Sequence, residues 1–365
     1  MPSTDQLVYI GTYTKKMPHV QGKAEGIYTC SFDPTTGRLS RLGQIAVAVN
    51  PSYLALTPDN RFLYSAGEFG GDDGEASGLI TAFSRDSTTG VLTKLNSQPS
   101  HGEWPCHVSV DATGSLVMAA NYRSGSVAAF PIKLDGSLGV ATATIQHRGT
   151  SVHPTRQQGP HAHSIWPDPQ NRFALAADLG TDRIQVYRMD SSAGTLTPND
   201  PPGIGLAPGA GPRHLDFHPN GRVVYAINEI GNTITAFSYE PRLGLLSGIQ
   251  TVPTLPPGFN GQNTTADVHV HQNGRFVYGS NRGHNSIVAF QVDPSSGHLS
   301  YVGHTSSGGQ RPRNFAIDPS GRFLLVANQD SDNILTLGID QDTGALKPTG
   351  LELSIPSPVC IRFLR

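Results

Sequence analysis

Four residues far apart in the chain carry groups that could share one reaction: His163, Arg213, Glu229 and Arg282. Two guanidiniums can grip a carboxylate or a phosphate, while an imidazole or a carboxylate handles a proton. The same residues could equally form ion pairs between structural units, and spacing alone does not separate the two readings. Spacing does say how two of them meet. In GPRHLDFHPNGRVVYAINE (211–229), Arg213 lies eight residues before Gly221 and Glu229 eight residues after it. Apolar runs flank the turn His218-Pro219-Asn220-Gly221. If that turn closes a hairpin, the cation and the carboxylate sit side by side at one sheet edge.

That hairpin recurs. Equivalent turn residues are Asn60, Gly114, Asn171, Gly221, Gly274 and Gly321, at intervals of about 50 residues. Between them falls a second set of turns, Asp or Pro early and Gly late, ending at Gly37, Gly90, Gly136, Gly194, Gly244, Gly297 and Gly344. Glycine there can take the left-handed backbone that a short connection needs. Four short strands per period is the pattern of a β-propeller blade. LVYIGTYT (7–14) reads as a second strand without a first, and PVCIRFL (358–364) as a first strand without a second. Pairing them in one blade closes the ring and removes its open edges. The expected fold is all-β, a seven-bladed propeller of four-stranded antiparallel blades in one domain spanning 1–365. A tandem of β-sandwiches is the competing architecture, but it has no need of a fixed period.

In such a ring the short turns lie on one face and the long links on the other. The long links are 69–77, 146–159, 201–211 and 254–265, which makes theirs the expected binding face. Eight residues before each turn residue come Ser52, Cys106, His163, Arg213, Ala266 and Arg313; eight after come Glu68, Tyr122, Leu179, Glu229, Arg282 and Gln329. Positions six and four before the turn are nearly all apolar. The apolar alternation therefore gives way to charge at the channel mouth, and buried charge is costly unless paired or used. Arg313, Glu68, Tyr122, Gln329 and His161 are expected to bind substrate around the four central residues. Thr12, Asn121, Asp178, Asn228, Asn281 and Asn328, one step before the rim, read as turn-closing residues.

Other chemistries find less support. His161/His163 and His269/His271 each share a strand face and could suit zinc, but the pairs sit at different heights in non-adjacent blades. No metal and no cofactor is expected. Cys106 reads as a core thiol rather than a nucleophile. No nucleophile elbow, phosphate loop or dinucleotide fingerprint occurs. A net charge of -2 without basic runs argues against nucleic acid and anionic membranes as partners. No apolar run is long enough to span a membrane, and no signal peptide is apparent. Three widely spaced cysteines suggest a reducing cytoplasm rather than a disulfide framework. The expected state is a monomer or weak homodimer.

HSIWPDPQNR (163–172), GPRHLDFHPNGRVVYAINE (211–229) and ADVHVHQNGRFVYGSNR (266–282) give the chain a specific resemblance. From YIGTYT to the last strand it resembles the seven-bladed propeller lactonase family, which includes bacterial propeller-type 6-phosphogluconolactonases and the fungal carboxy-cis,cis-muconate cyclase. The resemblance implies catalytic roles for His163, Arg213, Glu229 and Arg282, with either His161 or His163 facing the pocket. It implies a metal-independent lactonase acting on a small anionic sugar-acid lactone, with 6-phosphogluconolactone the expected substrate. Glu229 or His163 would be the general base, and the two arginines would stabilise the oxyanion or hold the anionic group. A cycloisomerase closing an unsaturated dicarboxylate to a lactone, and a non-catalytic binding propeller, are the alternatives.

Overall fold

The computed structural model describes residues 5–71 and 77–364; part of the 69–77 link lies outside them. The strands form seven four-stranded antiparallel sheets, each in simple up-and-down order. Blade one joins Pro358–Phe363 to Gln6–Thr12, so the chain's last strand supplies the inner strand of its first blade. Blades two to seven begin at Pro51–Leu56, Pro105–Val110, Ala162–Pro167, Pro212–Phe217, Thr264–Val270 and Pro312–Ile317. These first strands pack on one another around the axis, and Pro358–Phe363 meets Pro51–Leu56 to close the ring.

The core is distributed along the seams between blades. One apolar cluster joins blades one to three, and others join each later pair around to blade one. The Gly-ending turns lock these seams. At Gly136 (φ 83) and Gly344 (φ 73) an added Cβ would fall 2.1 and 2.3 Å from the rings of Phe62 and Phe276 in the preceding blade. The hydroxyls of Tyr64 and Tyr278 donate to the carbonyls of the same two glycines. Both the left-handed backbone and the close approach therefore demand glycine.

One feature of the inner strands departs from the simple alternation expected. In blades two to five and blade seven, one residue near the mouth is left unpaired against the second strand: Ser52, Cys106, His163, Arg213 and Arg313. Each is a β-bulge, which twists the strand and re-aims side chains. The apolar row six before the turn, such as Leu54, Val108 and Leu215, packs into the inter-blade core, not along the channel. The residues one step beyond the bulge face the axis instead. The Tyr53 and His107 rings lie 4.3 Å apart, and Tyr53 reaches His214 of blade five at 5.5 Å. The fourth strand of blade four also extends to Gly205, shortening the link expected at 201–211. Asp178 closes its own turn by accepting from the N–H groups of Gly180 and Thr181, whereas Asn121 and Asn328 donate instead to carbonyls of the preceding blade, those of Ser100 and Ser307.

Candidate active site

Three of the bulged residues, Cys106, His163 and Arg313, and the ends of the second strands surround a cavity of about 350 Å³ at the channel mouth. Arg213 and Glu229 meet there as hairpin partners: Arg213 Nε donates to Glu229 Oε2 at 2.9 Å. Arg282, the last residue of Phe276–Arg282, reaches the same oxygen with Nη2 at 2.8 Å. The other oxygen takes Nη2 of Arg156 at 2.6 Å. Three guanidiniums thus converge on one buried carboxylate. Burial would raise the Glu229 pKa, but Arg282, Arg156 and Arg213 outweigh it and hold it well below the usual carboxylate range.

Each arginine is anchored from behind. Arg213 Nη1 donates to the Ala266 carbonyl at 2.5 Å, and Arg282 Nη2 to that of Thr265 at 2.7 Å. Arg282 Nε is buried without a hydrogen-bond partner among the described residues. Burial beside Arg213 and Arg313 lowers the Arg282 pKa to about 9, which still leaves it a cation at neutral pH. Arg156 also donates to the Tyr122 hydroxyl, from Nη2 at 2.9 Å.

His163 lines the cavity and is buried beside Arg213, and both effects push its pKa well below the usual imidazole value. It is neutral at pH 7. Cys106 Sγ lies 3.6 Å from its Nδ1 and 3.4 Å from its carbonyl oxygen. With the thiol hydrogen on that carbonyl, the sulfur accepts from Nδ1–H and Nε2 keeps the lone pair. Burial raises the Cys106 thiol pKa, so this sulfur stays a thiol. His161 sits behind Tyr122, its ring stacked 4.7 Å away and its Nδ1 donating to the Tyr122 carbonyl at 2.9 Å. Of the two candidate histidines, His163 is the one on the cavity wall, because the bulge turns it inward.

The opposite wall is built from Glu68, Arg313, Arg311 and His19. Glu68 accepts from the Tyr13 hydroxyl at 2.7 Å; His19 Nε2, which burial holds at a pKa of about 4 and so uncharged at neutral pH, stands 3.8 Å off, and the Arg313 guanidinium 3.9 Å off. Arg313 lies over the Tyr13 ring. Gln329 lines an adjacent cavity of about 360 Å³ with Lys23 and Asp330, beyond the hairpin that carries His19. The main cavity's lining residues carry four guanidiniums against two carboxylates, a balance that suits an anion.

Sequence reasoning passed over Arg156, His19, Trp104 and Arg311. Arg156 lies in the 146–159 link and His19 between Lys16–Met17 and Val20–Gln21. Both fall outside the repeat register that located the rim; the length of the 146–159 link was the one available signal. The two His-x-His pairs do not come together. His269 lies between Asp267 and Asp216, while His271 bonds the Gly321 carbonyl of the next blade. Among the described residues no cluster of three or more His, Cys, Asp or Glu is placed to hold a metal, and no helix is long and apolar enough to cross a membrane.

A family model described as "Lactonase, 7-bladed beta-propeller" matches residues 7–363. A Bacillus subtilis protein named 6-phosphogluconolactonase is 38% identical over 361 residues, covering 99% of each chain. A Formosa agariphila protein of the same name is 33% identical over 352 residues, 95% of this chain and 96% of the other. Among solved structures, a Pseudomonas aeruginosa periplasmic gluconolactonase superposes with a TM-score of 0.93 at 35% identity, covering 99% of both chains.

Proposed function

The chain belongs to the seven-bladed β-propeller lactonase family, and on that premise we propose that it hydrolyses 6-phosphogluconolactone to 6-phosphogluconate. The observation that carries the reading is the convergence of His163, Arg156 and Arg282 around Glu229 on one wall of a cationic cavity, with Arg213 bonded to Glu229 from behind and a buried Arg282 N–H left unpaired. A buried donor without a partner is costly unless a ligand uses it.

The roles divide by basicity. Glu229 is clamped by three cations and is a very weak base; it aligns the guanidiniums. Neutral His163 is the general base. Water adds to the lactone carbonyl carbon as its proton passes to His163 Nε2. Arg282, aligned with Arg213, stabilises the oxyanion that develops. Collapse breaks the bond to the ring oxygen, and the proton on His163 passes to that oxygen. The hydroxy acid then ionises to the carboxylate in water. The Arg313 wall holds the phosphate. Guanidiniums fill the electrophilic role here, so the reaction is metal-independent and EDTA leaves turnover unchanged. Three buried unpaired cysteines favour the cytoplasm as the compartment.

The test is hydrolysis of freshly generated 6-phosphogluconolactone beside unphosphorylated gluconolactone, by wild type and Arg213→Ala. Wild type is expected to prefer the phosphorylated lactone, and the variant to fall to the background rate. Failure of wild type to exceed background on either lactone would refute the reading.

A further inference from the structure

The bulge at Arg213 sends that side chain to Glu229, behind the cavity wall, and the next residue, His214, toward the axis. Arg213, His214 and Asp267 all lie behind the cavity lining, and Arg213 acts on it through its bond to Glu229. We infer that they are positioning residues, and that they fix the orientation of the Arg213 guanidinium by locking one imidazole tautomer.

Asp267 is buried and meets only donors. Its Oδ1 takes His214 Nδ1 at 2.7 Å and the Val268 backbone N–H at 3.1 Å. Its Oδ2 takes His269 Nε2 at 3.1 Å and the Asn314 side-chain amide. A carboxylate in such company only accepts, so the His214 proton resides on Nδ1 and the lone pair on Nε2. Arg213 Nη1, which can only donate, stands 3.2 Å from that Nε2. The chain Arg213 to His214 to Asp267 therefore runs in one direction. The other tautomer would set an N–H against a guanidinium N–H. Blade six anchors the same Nη1 a second time, through the Ala266 carbonyl.

The Asp267 charge is itself fixed. Burial would lower the pKa of His269, but Asp267 and Asp216 hold it up to about 9, so it is a cation at neutral pH. Its Nδ1 lies 3.6 Å from Asp216, whose side chain is 33% exposed. A line of polar groups thus runs from behind Arg213 to half-buried Asp216, and none of its members lines the cavity.

The inference rests on the lactonase reading for its kinetic test, and that test compares His214→Gln with His214→Leu. The glutamine amide oxygen can take the place of Nε2 as acceptor, whereas leucine keeps the bulk and removes the acceptor. His214→Leu is expected to lose kcat by ~10²-fold with KM little changed, because a misaimed guanidinium fails chiefly in the transition state. His214→Gln is expected to keep kcat within about threefold of wild type, since its acceptor remains. Equal loss in both variants, or none in leucine, would overturn the assignment. A second readout needs neither turnover nor a folded leucine variant. In nitrogen NMR of histidine-labelled wild type, His214, assigned by its disappearance in His214→Gln, must show the Nδ1–H tautomer; an Nε2–H tautomer sinks the idea. If wild type opens no lactone, the functional reading fails while the tautomer still decides this one.

Discussion

Glu229 and Glu68 occupy the same position in the repeat, eight residues past their turns in blades five and two, and both are buried at the mouth. Their surroundings differ completely. Glu229 is gripped by Arg156, Arg213 and Arg282 within 2.9 Å. Glu68 accepts one tyrosine hydroxyl and has no guanidinium closer than 3.9 Å. The repeat decides where a side chain stands, and its neighbours decide what it can do. A saturated carboxylate organises cations; a sparsely paired wall leaves Arg313 free to meet a ligand.

The largest separation is expected from the two amide variants. Glu229→Gln strips the common partner from three cations. It should lower kcat/KM by ~10³-fold, as loss of aligned oxyanion donors does, and should destabilise the fold by about 3 kcal/mol in urea unfolding. Glu68→Gln should change kcat by no more than about threefold, since it loses one hydrogen bond and no close ion pair. Equal effects of the two changes would erase the distinction between the walls.

His163→Gln should cost ~10²-fold in kcat with an unaltered KM, the value of one positioned base. Retention of full kcat would return the base role to Glu229. On the other wall, Arg313→Ala should raise KM for the phosphorylated lactone by about tenfold, the worth of one charge-assisted hydrogen bond. Its KM for gluconolactone should not move; a parallel rise on both substrates would take the phosphate away from that wall.

The smallest expected effect is on stability against pH. His163 and His214 are held below the ordinary 6.5, the latter at about 4, chiefly by burial. The unfolded chain binds protons there before the folded one does, so their contribution is complete above pH 6.5 and is lost as pH falls toward 4. His269, raised to about 9, acts in the other sense: its contribution is complete below 6.5 and is lost as pH rises through 9. The difference in melting temperature between wild type and His269→Gln should therefore shrink between pH 6.5 and 9.5. A constant difference would mean that His269 is not charged in the fold.

The ring and its closure were legible in the sequence because a short turn needs a residue that takes the left-handed backbone, so Gly or Asn recurs at a fixed spacing. Turn spacing alone gave the seven blades and put His163, Arg213, Glu229 and Arg282 at one end. The bulge was not legible. An unpaired residue in the inner strand leaves the distance to the turn unchanged, so nothing in the spacing showed that Arg213 and His214 both face inward. That is why the axial histidines were read past, and why His161 and His163 could not be told apart. Arg156 and His19 were hidden for a different reason: they arrive on links that obey no repeat.

The blade that joins Gln6–Thr12 to Pro358–Phe363 stands between blades seven and two, the blades that contribute Arg313 and Glu68. Tyr13, at the end of its second strand, touches both residues. The Glu229 wall rests on blades that follow one another in sequence, whereas the Arg313 wall leans on a joint between two strands far apart in sequence, so loosening that joint would open the Arg313 wall and leave the Glu229 wall standing.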